Sequence, residues 1–116
     1  IFYTAEWAKN LSNRFPFLDI SLGKHPYYYH YLLWRLSYML GVKHGDISIS
    51  LESLCEEFNS VVPQVCNFLD IEDYDLSHLA TLKTEQRFGK WNSYADVTWF
   101  TEIENECEEV LRSFLL

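Results

Sequence analysis

Asp46-Ile47-Ser48-Ile49-Ser50-Leu51-Glu52-Ser53-Leu54-Cys55-Glu56-Glu57-Phe58 is the stretch on which the fold turns. As far as Ser50, polar and apolar residues alternate, the period of a short strand with one covered face. From Leu51 the chain runs directly into a helical pattern. Whether residues 46–50 pair in a sheet separates an α/β fold from an all-helical one.

Upstream, His25-Pro26 leads into a helix expected over 27–41, with Pro26 suited to its first turn. Tyr28, Leu32, Leu36 and Met39 form one stripe; Tyr27, Tyr31, Trp34 and Tyr38 form a second. Apolar groups on two sides predict a helix covered on both. Gly41 and Gly45 bracket its expected end. Residues 3–14 also read as helical, with Trp7, Ala8 and Leu11 on one side. Pro16 and the segment from Asp19 to Lys24 form a loop.

Downstream, Ser60 is the expected N-cap of a helix carrying Val61, Val62, Val65, Phe68 and Leu69, with Pro63 in its first turn. A short helical turn is expected between Asp75 and Leu82, and a loop over 83–94. The last helix is expected over 97–115, with Phe100, Ile103, Cys107, Val110, Leu111 and Phe114 on one face.

The chain has 116 residues, 48% of them hydrophobic and 17% aromatic, so a packed core is available and disorder is not expected. One partial domain over residues 1–116 is the expected organisation. Ile1-Phe2-Tyr3 and Phe114-Leu115-Leu116 are apolar, which suggests a piece of a longer protein whose further chain covers them. With only nine Lys and Arg and a net charge of −8, a nucleic-acid surface is excluded as the main function. Glu102, Glu104, Glu106, Glu108 and Glu109 read as the solvated face of the last helix.

Cys55, Cys66 and Cys107 are far apart, with no CxxC, and read as small hydrophobes in a reducing, cytoplasmic setting. No membrane span or signal-peptide pattern is present in the sequence. Asp70-Ile71-Glu72-Asp73-Tyr74-Asp75 lacks the glycine and final glutamate of a calcium loop. His25, His30, His44 and His78 show no metal-pair spacing. No GxSxG, HExxH, GxGxxG or GxxxxGK[ST] occurs, so the chain alone carries no catalytic constellation and no metal is expected.

Gly89-Lys90-Trp91 is the one short segment with ligand-binding character. Gly allows close backbone approach, Lys offers a mobile cation for phosphate, and Trp offers a flat face for a base. In order, the chain presents the helix with Trp34, Ile47-Ser48-Ile49-Ser50, Leu51-Glu52-Ser53-Leu54, Asn67-Phe68-Leu69-Asp70-Ile71, Gly89-Lys90-Trp91 and Thr101-Glu102-Ile103-Glu104. This order resembles the C-terminal part of the sulfotransferase family, in a divergent or bacterial-type form. The family's strand enters a Tyr-Glu-Asp-Leu motif. Its next helix ends Phe-Leu-Gly-Ile/Leu, and a Gly-x-Trp loop precedes the last helix.

The resemblance implies an α/β fold, with a P-loop-kinase-like parallel sheet and flanking helices. It implies transfer of a sulfuryl group from 3′-phosphoadenosine 5′-phosphosulfate (PAPS) to an acceptor hydroxyl or amine. Gly89 and Trp91 carry over to the loop that covers PAPS or its product PAP, and Lys90 stands at a variable position. Lys83 and Arg87 are cationic neighbours within reach of a phosphate. Leu51 and Ser53 depart from the motif's Tyr and Asp, and Thr84-Glu85-Gln86 stands where the cytosolic branch has Arg-Lys-Gly. The family's phosphosulfate loop and catalytic base precede the region present here, so the implied partners include the missing N-terminal part of the same domain. The alternative is a helical protein-interaction module without catalysis, docking through the two-sided aromatic helix. A P-loop kinase remnant is a third reading, without the arginines of a kinase lid.

Overall fold

The structure is a computed structural model that describes residues 2–83 and 89–115. Its α-helices are α1 (Phe2–Leu11), α2 (Pro26–His44), α3 (Leu51–Glu56), α4 (Phe58–Phe68), α5 (Leu76–Thr81) and α6 (Val97–Leu115). Short 3₁₀ turns lie at Pro16–Leu18, Ile20–Leu22 and Lys90–Ser93. No strand occurs among the described residues. The chain divides into two compact units, residues 1–45 with 90–116, and residues 46–89.

The expected α/β fold with its parallel sheet is therefore corrected to an all-helical one. Residues 47–50 are irregular, and Ile47 and Ile49 are 42% and 41% exposed. Alternation is a property of a side-chain pattern, but a strand exists only through a hydrogen-bonded ladder with a neighbour. No such ladder forms among the described residues. Ser50 is extended (φ −81°, ψ 149°), and its Oγ accepts from the Ser53 N–H at 3.0 Å. The segment ends as the N-cap of α3.

In the first unit, α2 packs against both α1 and α6. His25 caps α2 through Nδ1, which accepts from the Tyr27 N–H at 3.1 Å, and Pro26 supplies the preset φ of the first position. Ala8, Phe17, Leu18, Tyr28, Tyr29, Leu32, Leu33, Leu36, Cys107 and Leu111 form the core. The stripe of Tyr28, Leu32 and Leu36 is buried as its spacing predicts, with the i, i+4 geometry that stacks side chains on one face. Tyr29 fastens the 16–24 segment: its hydroxyl donates to the Asp19 carbonyl at 3.1 Å and accepts from the Lys24 N–H at 3.3 Å. Helix α2 continues through Gly41 to His44, and Gly45 closes it by donating to the Gly41 carbonyl at 2.7 Å.

Phe100, Cys107 and Leu111 of α6 are buried, on the face expected from their spacing. Tyr27 donates to Glu104 at 2.6 Å, and Tyr31 donates to Glu108 at 2.8 Å. These bonds join the second aromatic stripe of α2 to α6, but only in its N-terminal half. Trp34 and Tyr38 remain 55% and 56% exposed, so this stripe is not covered along its whole length.

In the second unit, α4 begins at Phe58, ahead of the expected cap at Ser60, and Pro63 lies inside it. Glu57 (φ −119°) forms the break between α3 and α4. The helix closes on Asp70, which is left-handed at φ 56°, while the Ile71 N–H reaches back to the Cys66 carbonyl at 2.8 Å. This is the Schellman closure, in which a glycine is the usual left-handed residue. Ile49, Leu51, Leu54, Val62, Val65 and Cys66 line an apolar groove of about 440 Å³ within the unit.

Candidate functional site

The site grows from the N-terminus of α2. His25 Nδ1 accepts the Tyr27 backbone proton, so the neutral imidazole carries its own proton on Nε2. Nε2 lies 3.3 Å from the Tyr94 hydroxyl. Trp99 supports the imidazole from α6, edge to face at 4.9 Å and 90°. One cap residue thus both starts α2 and orients a ring from the loop before α6.

Next to it lies a groove of about 480 Å³, lined by Thr4, His25, Pro26, Tyr27, His30, Trp91, Tyr94 and Phe100. A second cavity of about 350 Å³ shares Tyr27, Trp91 and Phe100 and adds Val97, Thr101 and Glu104. Mostly aromatic walls with a few polar groups are the usual composition of a small-ligand site. No Lys or Arg is among the described lining residues of either cavity.

Phe100 sets the shape. The Trp91 ring meets it at 5.4 Å and 86°, and the Tyr27 ring at 5.1 Å and 80°. Both rings thus lie nearly perpendicular to the Phe100 ring, as does Trp99 of α6, at 5.0 Å and 84°. Burial first, and then the bond to Glu104, hold the Tyr27 phenol well above its ordinary pKa, so it stays a proton donor. Aromatic contacts continue along α2: Tyr27 to Tyr31 at 6.3 Å, Tyr31 to Trp34 at 5.6 Å, and Trp34 to Tyr38 at 6.1 Å. Arg35 lies 5.9 Å from the Tyr38 ring centre.

The residues singled out in the sequence fall in different places. Gly89 is left-handed at φ 84°, the conformation for which glycine is suited. Lys90 opens the Lys90–Ser93 turn, fastened where Ser93 Oγ donates to the Lys90 carbonyl at 2.8 Å and the Tyr94 N–H to the Trp91 carbonyl at 3.0 Å. Trp91 forms a wall of both cavities and is 49% exposed. Lys83 belongs to the other unit, its ammonium 5.9 Å from the Phe58 ring centre. Arg87 lies outside the described residues.

Nothing in the sequence pattern singles out Tyr94, His30 or Thr4 for a site, and Tyr27 reads there only as part of the second aromatic stripe. His25-Pro26 held a usable signal, because a polar side chain just before a proline at the first helical position is placed to cap. The rest meet only through tertiary folding. Among the described residues there is no group of three or more side chains arranged to hold a metal ion, and no helix long and apolar enough to cross a membrane. No family, curated protein or solved structure matches this chain.

Proposed function

We propose that this chain is a helical interaction module that binds a partner segment along α2, with the aromatic groove at one end of the binding surface. The observation that carries this reading is the run of aromatic contacts from Tyr27 through Tyr31 to the exposed Trp34 and Tyr38. Large exposed aromatics beside an arginine have the composition of interface hot spots. A ridge that leads into a concave pocket suits an extended or helical peptide that anchors one side chain.

The test is selection of peptides from a defined display library on the folded chain, with the site mapped by NMR. Binders that perturb α2 and weaken about tenfold or more on Trp34→Ala support the reading, the loss expected of a hot-spot aromatic. A library that yields no binder, or only binders indifferent to both Trp34→Ala and Tyr38→Ala, rejects it.

A second reading keeps the resemblance to the sulfotransferase C-terminal part, with Gly89, Lys90 and Trp91 forming one wall of a PAPS pocket. Two observations favour it. Asp70 is left-handed where the family's helix ending has glycine, and Trp91 faces a cavity large enough for a base. The absence of Lys and Arg from the described lining weighs against an anionic ligand. Calorimetry with PAP, on the chain extended by the N-terminal part that the resemblance implies, decides: binding in the micromolar range that is lost on Trp91→Ala favours the nucleotide, and no binding by the folded, extended chain removes this reading.

A further inference from the structure

Three rings and one carboxylate meet at the cavity shared by α2, α6 and the Lys90–Ser93 turn. Tyr27, Trp91 and Phe100 line it, with the Trp91 and Tyr27 rings at 86° and 80° to the Phe100 ring. Glu104 lines the same cavity. One of its oxygens takes the Tyr27 hydroxyl proton at 2.6 Å, which holds the carboxylate against the cavity's edge. The Tyr27 oxygen is thereby committed to Glu104.

Aromatic faces carry negative potential and attract cations, most strongly when the cation is weakly hydrated. Methylated ammonium groups fit that description. Their methyl surface gains from apolar walls, and their charge gains from ring faces and a carboxylate. An anion would meet the opposite of what it needs: ring faces, Glu104, and a chain of net charge −8. An unmethylated ammonium is more strongly hydrated and loses more on entry.

We propose that Tyr27, Trp91 and Phe100, closed by Glu104, form an aromatic cage for a methylated ammonium group. The proposal rests on the interaction-module reading and names the chemistry that its groove accepts. Two sources share that chemistry, a trimethyllysine side chain of a peptide and a free choline-type cation. The open groove beside the cage, with His25, His30 and Tyr94, leaves room for whatever carries the ammonium.

The experiment titrates the full chain with choline, with a glycine-flanked trimethyllysine peptide, and with the same peptide carrying the neutral isostere in which carbon replaces the ammonium nitrogen. Proton NMR follows the ligand methyl signals. Ring faces around the methyls shift those signals upfield, a signature that a merely hydrophobic contact elsewhere would not give. The charged peptide is expected to bind about tenfold more tightly than its isostere, the usual size of a desolvated cation–π preference.

Trp91→Ala is expected to abolish the upfield shift, Trp91→Phe to retain part of it, and Glu104→Gln to weaken binding several-fold while keeping the bond to Tyr27. Circular dichroism checks that each variant is folded. If Trp91→Ala fails to fold, Trp91→Phe and Glu104→Gln carry the test. Tighter binding of the peptide than of choline assigns the cage to a modified protein tail, and equal binding assigns it to the free cation. Equal affinity for the charged and neutral peptides, or no binding of any cation to folded wild-type protein, overturns the cage. Library peptides that bind the Trp34–Tyr38 ridge of a folded protein that takes up none of the cations would overturn the cage and leave the interaction module standing.

Discussion

Arg35 holds Glu108 across the seam between α2 and α6, with Nε donating to Oε1 at 2.6 Å and a guanidinium amine donating to Oε2 at 3.4 Å. Tyr31 adds a third donor to the same carboxylate. The arrangement is a half-buried ion pair that also fixes the Tyr31 hydroxyl. Glu106 pairs with Lys24, and Glu109 with Arg112 at 2.5 Å. The row of glutamates on α6 is thus largely matched within the unit.

Acid weakens the Arg35–Glu108 ion pair. The bond from Arg35, and less strongly that from Tyr31, hold the Glu108 carboxyl below its ordinary value of 4.5. Its folded pKa is the lower one, so the unfolded chain binds the proton more tightly. The contribution is present above about pH 4.5 and is lost as pH falls through the folded value. The stability gap between wild type and Glu108→Gln is expected to be largest above pH 5 and to shrink toward pH 3. Thermal melts across that range measure it, and a constant gap would show that Glu108 does not titrate this way.

Alkaline pH acts on the same seam through its phenols and a thiol. Burial is the main cause that raises Tyr28, Tyr31 and the Cys107 thiol, each to about 12, from 10.0 for the phenols and 9.0 for the thiol. These groups are neutral when folded and ionise first in the unfolded chain. Stability is full below about pH 9 and falls as pH rises toward 12. Tyr31→Phe is expected to flatten this alkaline limb. An unchanged slope would place the loss of stability elsewhere.

Gly41 lies inside α2, and a Cβ added there meets nothing within 4 Å. Its replacement by alanine removes the entropic penalty of a helical glycine without a clash. Gly41→Ala is expected to stabilise the chain by about 0.5–1 kcal/mol in denaturant unfolding. A destabilised variant would mean that α2 ends before Gly41.

Ser50 tests the corrected assignment of residues 46–50. As the cap of α3, its loss is expected to cost about 0.5–2 kcal/mol and to raise hydrogen exchange at Leu51–Glu56. Ser50→Gly is expected to cost only about a few tenths of a kcal/mol, since glycine is tolerated at N-caps. If Ser50→Ala leaves exchange over α3 unchanged, the cap does not hold the helix.

How far the structure was legible depends on the range of the interactions. The last helix was placed over 97–115, and it spans Val97–Leu115, because Phe100, Cys107 and Leu111 recur at helical spacing. The buried stripe of α2 was legible for the same reason. The end of α2 falls within the bracket of Gly41 and Gly45, beyond the expected 41, because a glycine signals a stop only on average; Gly41 stays helical, and Gly45 closes the turn. Trp91 was picked out from three residues, and it does line a cavity. Lys83, chosen beside it, belongs to the other compact unit.

By itself, then, the sequence determined where most of the chain turns helically, which faces are apolar, and where Pro26 allows a helix to begin. These depend on neighbours three or four residues apart. Tertiary structure alone decided that Ile47 and Ile49 stay out of a ladder, because pairing needs a second segment whose position no local pattern encodes. It alone brought Thr4, His25, His30, Trp91 and Phe100 to one groove. The wall angles around Phe100 arise from packing α2 and the Lys90–Ser93 turn onto α6, contacts made between residues more than sixty positions apart in the case of Tyr27 and Phe100.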